Sequence, residues 1–189
     1  MAFATIDVTK GITGTLATGN GGTGLASGFV NGGGLTEIDH FRLSSAFTGD
    51  AEPITSNLER IDNSGLFEKT GTGMTESSGV FTFPSTGKYR IDLITRQHFD
   101  GDSRYNEGTI YYTTNNSSYS LASSSSQFIQ QTLSNTTQAG HMTTTIFDVT
   151  NTSTHKVRFH AVVDNNSVTT VGGSSETFTS MVFLRLGDT

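Results

Sequence analysis

The chain has 189 residues, a formal net charge of −6 and no cysteine, which excludes disulfides and thiolate metal sites. Its sparse Lys and Arg argue against a surface that neutralises nucleic-acid phosphates. No apolar run is long enough to span a bilayer and no basic-then-apolar leader opens the chain, so a soluble product without membrane insertion is expected.

Abundant Ser, Thr and Gly, only two Pro, and no 3.6-residue apolar period favour strands and turns over helices, hence an all-β sandwich or barrel. The character changes near residue 38. Residues 1–38 hold ten of the 22 glycines and few large apolar side chains, too few to offset the entropy of ordering them. Two readings stand for this segment: a disordered tail, or an extended arm that docks on a neighbouring subunit through Phe3, Ile6, Val8 and Leu16. Residues 39–189 are expected to form the folded domain.

Within that domain, Phe41, Leu43 and Ser45 alternate with Arg42 and Ser44 as a first strand. Thr48–Asn63 is loop-like, and Leu66–Lys69 reads as a short strand. Phe81 and Phe83 alternate with Val80 and Thr82. Pro84-Ser85-Thr86-Gly87 then forms a reversal, with Pro presetting φ and Gly free to take φ > 0. Tyr89, Ile91, Leu93 and Thr95 follow on one face, so this stretch is expected to be two strands of one sheet around a turn. After the loop Asp100–Glu107, Thr109–Thr114 is a strand with Tyr on both faces. Asn115–Ser126 reads as a long loop or weak edge strand, Gln127–Leu133 as a short strand and Met142–Thr150 as a strong one. Lys156–Asp164 places Val157, Phe159, Ala161 and Val163 on one side, and Phe178–Leu186 is the last strand. Eight or more strands at this spacing fit an antiparallel jelly roll.

The strand-turn-strand Gly79–Tyr89, GVFTFPSTGKY, resembles the second conserved segment of the complement globular-head and tumour-necrosis-factor-like jelly rolls. Glu176–Gly187, ETFTSMVFLRLG, is similar to their closing strand, although Ser180-Met181 stands where the family has a glycine. The resemblance covers about residues 39–189 and implies a homotrimer with one sheet of each subunit facing the three-fold axis. Phe81, Phe83, Tyr89, Ile91, Phe147, Phe159 and Phe183 are the expected core and trimer residues. In the arm, Gly14–Ser27, GTLATGNGGTGLAS, resembles the NGGTG segments of bacteriophage tail-fibre and other virion proteins.

Chemistry-bearing constellations are few. Asp100, Asp102, Asn106 and Glu107 crowd oxygen donors of the kind calcium takes. They lack the glycine and distal glutamate of an EF-hand loop, so a solvated acidic turn is expected, with no metal and no cofactor. The histidines His40, His98, His141, His155 and His160 form no HExxH pair, and no GxSxG elbow is present. No catalytic residue and no enzyme activity is expected. Asn135-Thr136-Thr137 and Asn151-Thr152-Ser153 match glycosylation acceptors, read as chance in so Ser/Thr-rich a chain.

Together these readings imply a non-enzymatic structural protein of a phage virion surface. It would be a trimeric jelly roll decorating the capsid, or forming a short fibre, through its N-terminal arm and other virion proteins. The alternative is the receptor- or glycan-binding tip of a phage tail fibre, with a host surface glycan or receptor as partner. No repeat precedes residue 39, which favours the decoration reading over a fibre tip.

Overall fold

The computed structural model describes residues 35–66 and 69–189. Its strands are β1 (Ile38–Leu43), β2 (Phe47–Thr48), β3 (Leu58–Arg60), β4 (Lys69–Thr70), β5 (Thr75–Ser77), β6 (Val80–Thr82), β7 (Gly87–Phe99), β8 (Ser103–Thr113), β9 (Ser120–Ile129), β10 (Thr137–Val149), β11 (Lys156–Val163), β12 (Thr169–Thr170) and β13 (Ser180–Gly187). All pairings are antiparallel. Sheet A runs β3-β1-β13-β7-β10, with β2 and β12 continuing beside β7 and β4 beside β1, and sheet B runs β5-β6-β11-β8-β9. With the minor strands β2, β3, β4, β5 and β12 set aside, the eight main strands taken in chain order fall as 1-8-3-6 facing 2-7-4-5. That order is a jelly roll, two Greek keys wrapped into a sandwich.

Alternation explains the core. Phe81, Phe83, Tyr89, Ile91, Leu93, Ile110, Val157, Phe159, Met181 and Phe183 project between the sheets and are each at most 3 % exposed. Phe81 is its hub, meeting Phe41, Phe159 and Phe183 with ring centroids 5.1–5.3 Å apart. Such offset and edge contacts add to the area the rings bury. Phe147 and Tyr112 pack against this cluster, and Phe99 belongs to a second one around Ile129, Val163 and Val168.

Several local expectations need correction. β6 and β7 are not neighbours: Pro84–Thr86 carries the chain across the sandwich, so β6 pairs with β11 in sheet B and β7 with β13 and β10 in sheet A. The tight turn lies earlier, at Ser78-Gly79, where both residues take positive φ (51° and 80°) and join β5 to β6, as a two-residue hairpin requires. A Cβ at Gly79 would also lie 2.2 Å from the Ile54 carbonyl oxygen. Leu66 sits in a turn and is 56 % exposed, while Phe67 and Glu68 lie outside the described residues. Of the two readings of the serine tract the edge strand holds, as β9, which also takes in Gln127–Ile129 of the expected next strand, and pairing on β8 begins three residues into the acidic loop, at Ser103.

Candidate functional site

The outward face of sheet A carries several exposed aliphatic side chains that the register brings together. Because successive side chains alternate faces, rows across the sheet can be read from the pairing. One row is Ile38–Leu184–Arg90–Ile146, the next His40–Val182–Asp92–Thr144, and the third Arg42–Ser180–Ile94–Met142. Ile146 is 65 % exposed, Met142 49 % and Ile94 38 %, although all three lie within regular strands. In the middle sits Asp92, which is buried and accepts hydrogen bonds from Arg90 Nε at 3.0 Å and Thr144 Oγ1 at 2.5 Å. A carboxylate satisfied in this way leaves the surrounding aliphatic surface without an open charge. The far side of the face is closed: Arg42 is 1 % exposed beneath β3 and its loop, where it donates to Glu59, Asp62 and Asn63.

Beside that face the sandwich opens. β9 and β10 are edge strands, joined at the turn Thr132–Asn135 and then diverging into opposite sheets. A cleft of about 360 Å³ lies between them, floored by Tyr112, Phe147 and Val157 and lipped by Leu121 and Ile146. Deeper along the same edge the interior is polar: Thr143 donates to the Gly108 carbonyl at 2.7 Å and Thr95 Oγ1 meets His141 Nε2 at 2.7 Å.

The structure does not gather the acidic-loop residues into one site. Asp100 Oδ1 accepts from Gln131 Nε2 and Asp102 Oδ1 from the Gln131 amide, each at 2.8 Å, so both carboxylates brace the β9–β10 turn. Asn106 is buried, accepting from Ser103 Oγ and donating to the Gln127 carbonyl, and Glu107 lies on the outward face of sheet B opposite Val162. Among the described residues no three His, Asp or Glu side chains are placed to hold a metal ion.

The histidines are scattered. His40 lies on the sheet A face, and burial lowers its pKa although Asp39 partly opposes this. Burial also lowers that of His141, which sits between the sheets. His155 stacks on Phe147, and His98 is on β7 opposite Gln138 and Thr169. His160 lies on the outward side of β11, where burial and the neighbouring Arg158 guanidinium lower its pKa to about 4.

Every residue expected at the core or trimer interface except Phe147 is buried within the subunit, and Phe147 is half-buried against the core. Tyr89, Phe99, Tyr112, Phe147, Phe159 and Phe183 are all used inside the sandwich, while Tyr111 stacks on His160 on sheet B. The exposed aliphatics Met142, Ile94 and Ile146 were not singled out from the sequence. In Met142–Thr150 the inward positions are Thr143, Thr145, Phe147 and Val149 and the outward ones include Met142 and Ile146, so apolar residues fall on both faces. The arm residues Phe3, Ile6, Val8 and Leu16 lie outside the described residues.

No protein-family profile matches the chain. No curated protein sequence matches it either. Among solved structures it is similar to the crystal structure of murine APRIL at pH 8.5, with a TM-score of 0.49 and 10 % sequence identity, over 79 % of this chain and 98 % of that one.

Proposed function

We propose that the protein is a non-enzymatic structural subunit that works as a homotrimer, with the outward face of sheet A turned towards the three-fold axis. The observation that carries this reading is the aliphatic surface Met142–Ile94–Ile146 around the neutralised Asp92. Large apolar groups set in regular strands, rimmed by polar residues, are characteristic of interaction surfaces. The apolar-lipped cleft at the β9–β10 edge is a second, different patch on the same chain. When two unlike patches meet, the contact is heterologous and must either close into a ring or run on as a filament. The likeness of Gly79–Tyr89 and Glu176–Gly187 to tumour-necrosis-factor-like jelly rolls favours closure at three.

The setting we propose is a phage virion surface, from the NGGTG segment of the arm, with Phe3, Ile6, Val8 and Leu16 docking on another virion protein. Three arms acting together turn modest contacts into firm attachment. Light scattering on the full chain tests the assembly. A trimer that Ile146→Asp converts to monomer with little change in melting temperature is expected, and a wild-type monomer at micromolar concentration overturns the reading. Deleting residues 1–35 is expected to leave the folded trimer and abolish attachment. Quantitative proteomics of virions then separates the sites: tens to hundreds of copies mean capsid decoration, and a small symmetric set means a tail fibre.

A further inference from the structure

The outward face of sheet B carries a cluster that the proposed assembly does not call on. On β8 and β11, Tyr111 stands opposite Arg158 and Thr109 opposite His160. Their neighbours Ile110, Val157, Phe159 and Ala161 fill the core, so these four point away from it. Two of them are nonetheless enclosed, Thr109 at 4 % and His160 at 3 % exposed, and Tyr111 and Arg158 are half-buried. Four planar groups stack across the face. Arg158 lies 4.1 Å from the Tyr119 ring and 5.8 Å from the Tyr111 ring, and Tyr111 stacks on His160 at 4.2 Å with 8° between the planes.

Within this patch Thr109 Oγ1, Arg158 Nε and both ring nitrogens of His160 are buried without a hydrogen-bond partner. Those are four of the seven such side-chain atoms among the described residues; the other three, on His40, Gln97 and His141, are dispersed through the fold. Orphaned buried polar atoms are costly and call for a partner. Four in adjacent rows of one sheet call for a partner with several polar groups of its own.

We propose that this face binds a neutral saccharide. A sugar hydroxyl both donates and accepts, and adjacent hydroxyls span neighbouring positions. Arg158 Nε can only donate, the Thr109 hydroxyl can do both, and neutral imidazole offers one donor and one acceptor. The set is therefore mixed, as a vicinal diol requires and as a carboxylate or phosphate does not. Burial and Arg158 keep His160 neutral at physiological pH. The rim supplies two carboxylates, with Glu52 Oε2 3.8 Å from His160 Nδ1 and Glu107 one row away on β8, which repel an anionic ligand and accept from hydroxyls. Ser124 and Ser126 on β9, opposite Thr109 and Glu107, extend the hydroxyl-rich surface. Access requires the side chains of Glu52, which is half-exposed, and Tyr119, which precedes β9, to swing aside.

The test is a titration of the isotopically labelled full chain with glucose, galactose, mannose, N-acetylglucosamine and lactose, with glucuronate and N-acetylneuraminate as charged arms, followed by amide chemical shifts. At least one neutral sugar is expected to shift residues 107–111, 119 and 158–160 selectively. Arg158→Ala and His160→Gln are each expected to weaken its binding about tenfold or more. Tyr119→Ala, on the loop leading into β9, is expected to change affinity while preserving the melting temperature, so the test survives if a strand variant misfolds. No selective shift by any neutral sugar at tens of millimolar overturns the proposal. So does binding confined to the charged sugars, an unchanged affinity in Tyr119→Ala, or a high-resolution structure soaked in the sugars with only ordered waters on the four atoms. The oligomeric state is measured separately, so failure here leaves the trimer reading untouched.

Discussion

Asp39 and Arg60 form a two-point ion pair, Arg60 Nε to Oδ1 at 2.8 Å and Nη2 to Oδ2 at 3.0 Å, around a carboxylate only 2 % exposed. The same carboxylate accepts the Met74 amide at 2.6 Å and the His40 amide at 3.0 Å, while Arg60 Nη2 also donates to the Met74 carbonyl. One side chain thus ties β1 to β3 and to the turn before β5. Asp39→Ala strands a partly buried guanidinium and a buried amide, so a loss of about 3–5 kcal/mol in chemical denaturation is expected. A loss below about 1 kcal/mol would show that water replaces the carboxylate at little cost.

Phe159 is 1 % exposed and packs edge-on against Phe81 at 5.3 Å and Phe183 at 5.9 Å. Phe159→Ala removes the ring from the centre of sheet B's inner face, and a loss of about 3–5 kcal/mol in urea unfolding is expected. Val162, on the same strand, points outward and is only half-buried. Val162→Ala should therefore cost less than Phe159→Ala, and comparable losses would mean that the strand face is misassigned.

Stability should fall on acidification between about pH 6.5 and pH 4. His160 has a folded-state pKa of about 4 against an ordinary value of 6.5, and those of His40 and His141 are also lowered. Across this window the unfolded chain binds more protons than the folded one, so unfolding free energy rises with pH and is fully recovered above 6.5. His160 alone accounts for roughly 2–3 kcal/mol of that change. Melting curves taken from pH 7 to pH 4 should show the slope, and His160→Gln should flatten it. An unchanged slope in that variant would remove His160 as its source.

Chelator should leave the melting temperature unchanged, because Asp100 and Asp102 spend their carboxylates on Gln131. Asp102→Ala should lower stability by about 1 kcal/mol or less, the same with and without calcium, since the bond it removes is exposed. A rise of several degrees on adding calcium would mean that an ion binds the folded state and stabilises it by mass action.

The jelly roll was legible because strand period and turn chemistry are local. Lys156–Asp164 reads almost to the residue as β11, and its alternate positions Val157, Phe159, Ala161 and Val163 are all buried. Sheet membership was not legible. Pro84–Gly87 reverses the chain in the same residues whether the next strand joins the same sheet or the opposite one, and only long-range pairing with β11 and β13 decides. The serine tract resisted for a different reason: β9 holds its place through backbone pairing with β8, to which small polar side chains add no pattern. The surface sites depend on register between strands far apart in sequence. Ile146 and Leu184 share a row through Arg90, and Arg158 finds Tyr111 across a pairing of β8 with β11.

The position of β13 has a consequence for biogenesis. It lies between β7 and β1, in the middle of sheet A, yet among the described strands it is the last to be synthesised. On the ribosome, β7 and β1 emerge long before the segment that joins them, and until then each exposes an unsatisfied backbone edge. Sheet A therefore cannot close until β13 has been made. The chain waits for residues 180–187 to clear the exit tunnel, in the interval when strand-rich nascent chains are most prone to aggregate. A stop codon upstream of Ser180 should yield an insoluble product and not a slightly shortened subunit.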